Sequence, residues 1–152
     1  MSAHIFLHSD LVNIPHIEKI AIGVALFHDT GRYPDFLGHY GGFELNPKAV
    51  ESQLHKLHIA LYQSDWNLKS WQRNGSRRTS DNFVVYTQHF FCEDCFQLLG
   101  IVTPEAHAKI DSLLTAFIDK AEQFHCRRRT ELLEQPHYLS QNNVAKTIKL
   151  TP

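Results

Sequence analysis

One stripe of apolar side chains constrains this chain more than any other feature. Ile110, Leu113, Leu114, Phe117, Ile118, Ala121 and Phe124 recur every three to four residues. That spacing predicts an amphipathic helix, which must be covered by an apolar surface. Thr103 is placed to cap it, Pro104 to open its first turn, and Glu105 to sit at its positive dipole end. Arg127, Arg128 and Arg129 follow the last turn, where cations are favoured. The covering surface stands just upstream. Residues 83–91 and 96–102 are rich in β-branched and aromatic residues and flank Cys92-Glu93-Asp94-Cys95, which predicts a hairpin with an acidic turn.

The earlier part of the chain supplies more of the same. Residues 4–11 alternate loosely and predict a first strand. Asn13 is a plausible cap for a helix over 15–29, with Ile17, Ile20, Ala21, Val24 and Phe27 on one face. Gly31 and Pro34 then end it. Residues 34–47, rich in glycine, proline and aromatics, predict an ordered loop. Over 54–62, Leu57, Ile59 and Leu61 alternate with His58, Ala60 and Tyr62, which favours a strand. Residues 63–81 are polar and end in a basic cluster. Residues 130–152, with Pro136 and Gln141-Asn142-Asn143, predict a polar tail, of which 144–150 alternates like an edge strand. The expected class is α+β: a small antiparallel sheet packed on one face by an N-terminal and a C-terminal helix. A domain over 1–129 is followed by the tail.

With 152 residues, 43% of them hydrophobic, the chain can bury an ordinary single core. The longest apolar run, 20–27, is interrupted by Gly23 and too short to span a bilayer. The N-terminus has no basic stretch leading into an apolar one, so the expected location is the cytoplasm, with no membrane partner. Three cysteines do not make a disulfide framework. Cys92-x-x-Cys95 is at most half of a zinc site, even with His89, His107 and His125 available, and a hairpin turn accounts for it better. No metal and no cofactor are expected. GxSxG, HExxH and a Gly-rich phosphate loop are missing, and Gly38-x-x-Gly41-Gly42 lacks the strand–glycine–helix setting of a dinucleotide site.

The net charge of −1 provides no field to attract nucleic acid, so an anionic ligand would have to be held by a local patch. The best candidate is Arg77-Arg78-Thr79-Ser80-Asp81, because guanidinium forks and hydroxyls suit phosphate oxygens and a carboxylate can orient a base. A capped turn with solvated arginines is the plain alternative. On a strand, Lys56 and His58 share one face and His55 points the other way. An imidazole beside a cation can serve as a general base, or simply as a half-buried sheet residue. Pro104-Glu105-Ala106-His107 puts a histidine in the first turn of the last helix, where anions are favoured. Trp66 and Trp71, among Lys69, Arg73, Arg77 and Arg78, suit a stacked base and a phosphate backbone; anchoring of the loop in the core explains them as well.

Several of these residues recur in one order in a known family. Phe27-x-x-x-Gly31-x-x-Pro34-Asp35-x-x-Gly38, Leu57-His58-Ile59, Arg78-Thr79-Ser80-Asp81 before Val84-Val85-Tyr86, Ile101-x-x-Pro104-x-x-His107 and Ala121-Glu122-x-Phe124 resemble the YafO family of type II toxins over roughly residues 20–128. The family tends to have Gly-Arg-Asp where this chain has Gly38-His39-Tyr40, and a second histidine in place of Ala60. The resemblance implies a RelE-like fold and a toxin neutralised by a cognate antitoxin. It further implies a ribosome-associated enzyme that cleaves mRNA. On that reading Arg77 and Arg78 hold the phosphate, with Arg73 and Lys56 in the same patch. His58 and His107 are base and acid in either order, and Asp81 orients a histidine or holds Arg78. Thr79, Ser80 and Tyr86 are hydrogen-bonding candidates. A non-cutting toxin-like protein acting through antitoxin or ribosome contacts is the alternative, and a small zinc protein a more distant one.

Overall fold

The computed structural model describes residues 2–142 and 144. Its strands are β1 (His4–Leu7), β2 (Leu37–Gly41), β3 (Leu54–Ile59), β4 (Phe83–Gln88) and β5 (Cys95–Val102). They form one sheet in the order β1-β5-β4-β3-β2. The helices are α1 (Ile17–Thr30), α2 (Pro47–Glu51), α3 (Gln63–Trp66), α4 (Ala106–His125) and α5 (Arg129–Leu133).

The α+β class stands, and the centre of the sheet is the expected antiparallel run of β3, β4 and β5. Two strands extend it. β1 lies parallel to β5, which makes the sheet mixed. β2 comes from the segment expected to be a loop and pairs antiparallel with β3. The helices lie on both faces rather than one, and strand alternation explains how. Leu57, Ile59, Val84, Tyr86, Phe96 and Leu98 join Ile20, Ala21 and Val24 of α1 in one core. Leu54, Phe83, Val85, Leu99 and Val102 join Ile110, Leu114, Phe117 and Ala121 of α4 in another. A central strand buried on both faces reads as a continuous apolar run, as 83–87 does.

Helix ends depart from expectation. α1 starts after His16, a left-handed residue with no side-chain cap, rather than at Asn13. α4 starts after Glu105, also left-handed. Thr103 does not cap α4, because its hydroxyl donates to Asn82 Oδ1 and pairs with the Tyr62 hydroxyl at 3.1 Å. Asn82 Nδ2 in turn donates to Ile59 O and Asp65 Oδ2 at 3.1 and 2.8 Å. Asp65 Oδ2 also accepts from the backbone N–H of Leu61 and Tyr62. This buried network ties together the end of β3, the start of β4 and the end of β5.

Cys92 and Cys95 form the expected hairpin turn, with Cys95 N–H donating to Cys92 O at 2.9 Å. Part of the segment expected as a tail packs on the domain: Leu132 is buried beside Phe6, Cys95 and Phe124. Tyr138 exchanges backbone hydrogen bonds with Ile5 on the outer edge of β1. Nearly all of 144–150, expected to alternate as an edge strand, lies outside the described residues. No helix of the described residues is long and apolar enough to cross a membrane.

Candidate active site

On the α4 face, where β3, β4 and the first turn of α4 meet, His58, Leu68, Ser70, Thr79, Ser80, Asp81 and His107 line a depression of about 520 Å³. The topology explains the convergence. His58 precedes the last residue of β3, Asp81 stands two residues before β4, and His107 is the second residue of α4. Asp81 joins them. Its backbone carbonyl accepts from Ala106 N–H at 3.0 Å. Its Oδ1 accepts from His107 N–H at 2.9 Å and lies 2.6 Å from His107 Nδ1. One carboxylate thus caps the helix and fixes the imidazole, leaving His107 Nε2 toward solvent. The hydrogen bonds from the His107 backbone and ring hold the Asp81 carboxyl below its ordinary range.

His58 is set differently. It is buried, with Nδ1 2.7 Å from Ser80 O and 2.9 Å from Ser80 N. Burial is the main cause that pushes its pKa down to about 4, and the neighbouring His107, His39 and Lys56 add to it against the Ser80 hydrogen bond. At neutral pH this imidazole is uncharged. The His58 and His107 ring centroids are 5.6 Å apart, and Phe83 meets both edge to face at 5.0 and 4.8 Å. Lys56 Nζ sits over that same Phe83 ring at 4.7 Å and over Phe43 at 5.0 Å. Ser80 Oγ is turned inward, donating to Ile59 O. Thr79 lines the depression, and its carbonyl accepts from Ser70 Oγ at 2.7 Å.

Other residues singled out in the sequence lie apart or are committed elsewhere. Arg78 Nη1 donates to the carbonyls of Pro34, Asp35 and Leu37, and its Nε to Arg73 O. The guanidinium stitches the 34–37 segment to the 73–78 segment. Arg73 and Arg77 are exposed on this turn and have no ion-pair partner among the described residues. Tyr86 is fully buried on the α1 face, its hydroxyl 2.7 Å from His28 Nε2. Trp71 is buried and donates its Nε1–H to Asp35 O, so it anchors the loop.

The structure adds His39 to the group. Its exposed ring lies 6.0 Å from His58, with Nδ1 2.9 Å from Ser76 O. In the sequence it was visible only as a histidine standing in place of the family's arginine. Asn82 and Asp65, which support the site from beneath, carried no signal of their own, and Thr103 carried only that of a helix cap.

A mixed sheet with helices on both faces and a histidine–carboxylate cluster at its rim fits a small toxin of a type II toxin-antitoxin system. The comparison with protein families gives that class a name. The family model described as toxin YafO, type II toxin-antitoxin system, matches residues 25–126, and the chain belongs to this family. The match contains β2 to β5, the C-terminal part of α1 from residue 25, all of α4, and every residue of the histidine depression. No curated protein and no solved structure matches.

Proposed function

We propose that this toxin inhibits translation as a ribosome-dependent endoribonuclease that cuts mRNA at the histidine depression. The observation that carries this reading is the Asp81–His107 pair, with Oδ1 and Nδ1 2.6 Å apart, beside the buried, neutral His58. Cleavage requires the 2′-oxygen to bond to the adjacent phosphorus while its proton is removed. The P–O5′ bond then breaks as the leaving oxygen gains a proton. The products are a 2′,3′-cyclic phosphate and a 5′-hydroxyl. Each proton-transfer role is typically worth about 10²- to 10⁴-fold.

The environments of the two histidines separate their roles. His58, uncharged at neutral pH and turned by the Ser80 peptide, accepts the 2′-proton when its Nδ1–H is donated to Ser80 O and Nε2 is free. His107 is the exposed member, and the Asp81 carboxylate on Nδ1 fixes the orientation in which the ring can give a proton to the 5′-oxygen. Lys56 and Thr79 supply charge and hydrogen bonds to the phosphate, and Arg77 and Arg73, exposed on the neighbouring turn, add positive charge for the flanking RNA backbone. Fixed charge of this kind is often the largest contribution to such a reaction. A base with so low a pKa is a weak one, and orientation of the message by the ribosome offsets part of that deficit. A cognate antitoxin is the inhibitory partner.

A second reading is a toxin that acts by contact without cutting; the commitment of Arg78 to carbonyls favours it. Induction of the wild-type chain and of His107→Ala and Asp81→Asn separates the two. The expected result is growth arrest with new 5′-hydroxyl ends on mRNA, and loss of both in the variants. Arrest that persists in both variants without new ends would establish the contact reading.

A further inference from the structure

His39 has no part in the cleavage steps given above, yet the fold builds it into the site. It is one of three neighbouring imidazoles: its ring centroid lies 6.0 Å from that of His58, which lies 5.6 Å from that of His107. It stands on β2, at the edge of the sheet, and is exposed. Two bonds fix it there. Its backbone N–H donates to Arg78 O at 2.8 Å, and its Nδ1 lies 2.9 Å from Ser76 O.

The second bond sets the chemistry of the ring. A carbonyl oxygen only accepts, so Nδ1 keeps its proton whether the ring is neutral or charged. Nε2 is the atom left to meet a ligand: a lone pair in the neutral ring, an N–H in the charged one. Arg78 has its use here. Its guanidinium donates to the carbonyls of Pro34, Asp35, Leu37 and Arg73. The first segment runs into His39 and the second into Ser76, so the guanidinium secures the two stretches of chain that hold the imidazole.

The placement suits a phosphate. His58, its pKa pushed down to about 4 chiefly by burial, is uncharged at neutral pH, and His39 is near enough to add to that lowering. A phosphodiester carries one negative charge and gains a second as the 2′-oxygen attacks. A cation against a non-bridging oxygen therefore binds the transition state more strongly than the uncut strand. The ring centroids of His39 and His58 are 6.0 Å apart. With hydrogen bonds of about 2.9 Å, a 2′-oxygen at His58 and an oxygen of the adjacent phosphate at His39 fit within one linkage.

We propose that His39, through Nε2–H, holds a non-bridging oxygen of the RNA phosphate at the histidine depression. Its effect on cutting rests on the cleavage reading; the contact itself is tested without it. Message cleavage on ribosomes is measured for the wild-type chain, His39→Ala, His39→Gln and His39→Arg. A loss of about a hundredfold is expected in the first two variants, with partial recovery in the third. An imidazole loses its charge as pH rises through neutrality and a guanidinium does not. The rate of His39→Arg relative to wild type should therefore climb between about pH 6.5 and 8.5, a readout that a merely structural role would not move. The contact is read by proton NMR with an RNA strand that cannot be cut, its 2′-hydroxyls replaced by 2′-O-methyl groups. The His39 ring signal, identified by its loss in His39→Ala, should shift saturably as this strand is added. Cutting at the wild-type rate by His39→Ala or His39→Gln, a flat ratio across that pH range, or a His39 signal that the strand does not move would each overturn the proposal. A signal that shifts in a chain producing no mRNA ends would remove the cleavage reading and keep the contact. Ends undiminished in His39→Ala would do the reverse.

Discussion

Arg78 shows how far a residue's type can differ from its use. It is the central cation of the basic stretch, yet its Nη1 and Nε serve the carbonyls of residues 34, 35, 37 and 73. Arg78→Ala strands those acceptors and should lower unfolding stability by roughly 2–4 kcal/mol in a denaturant titration. Lysine should recover little of it, because a point donor cannot replace a fork. The histidines give a second prediction. An unfolded histidine titrates near 6.5, whereas burial pushes His28 and His58 down to about 4. Between these values the unfolded chain holds more protons. Stability is therefore complete above about pH 6.5 and is lost as pH falls toward 4, by roughly 1–3 kcal/mol per histidine. Calorimetry across that window should show the slope, and His28→Phe should remove about half of it. At this scale the sequence was partly legible. His58, Asp81 and His107 stood out as chemical types, but so did Tyr86, read as a hydrogen-bonding candidate, which strand alternation turns to the α1 face against His28. The ring separations could not be read, because they depend on how the first turn of α4 abuts Asp81, 26 residues upstream of His107.

Elements with one strong period were legible, and those without one were not. α4, β3 and the β4–β5 hairpin follow from their apolar spacing. β2 did not, because its five residues include two glycines and its register with β3 shifts between Leu37 and Tyr40. What makes it a strand is tertiary. His39 N–H donates to Arg78 O at 2.8 Å, and Gly38 lies so close that a Cβ there would meet the same oxygen at 2.6 Å. The fit of α4 on the sheet has a similar pinch point. A Cβ on Gly100 of β5 would meet Phe117 Cε1 at 2.6 Å. Gly100→Ala should therefore push α4 outward and cost about 1–3 kcal/mol. Because Asp81 holds the first turn of α4, the same variant should slow the proposed RNA cleavage more than its stability loss alone accounts for. Assays well below the melting temperature would show whether the two effects part.

At the scale of the whole molecule, each outer strand is met from the side by another segment. On β2 the carbonyl of Arg78 meets His39. On β1 the peptide of Tyr138 meets Ile5 through both its N–H and its carbonyl, at 2.9 and 3.0 Å. A bare strand edge is a template for pairing with another chain. Tyr138→Pro removes the donor and should raise self-association, seen as a concentration-dependent rise in light scattering that the wild type lacks. The contact also acts as a latch. A foreign strand seeking the free side of β1 must first lift Tyr138 away, and the stretch leading back to Leu132 is then exposed to a protease. Docking at that end would register as a new cut between residues 134 and 138, so digestion alone could reveal a partner that prolongs the sheet.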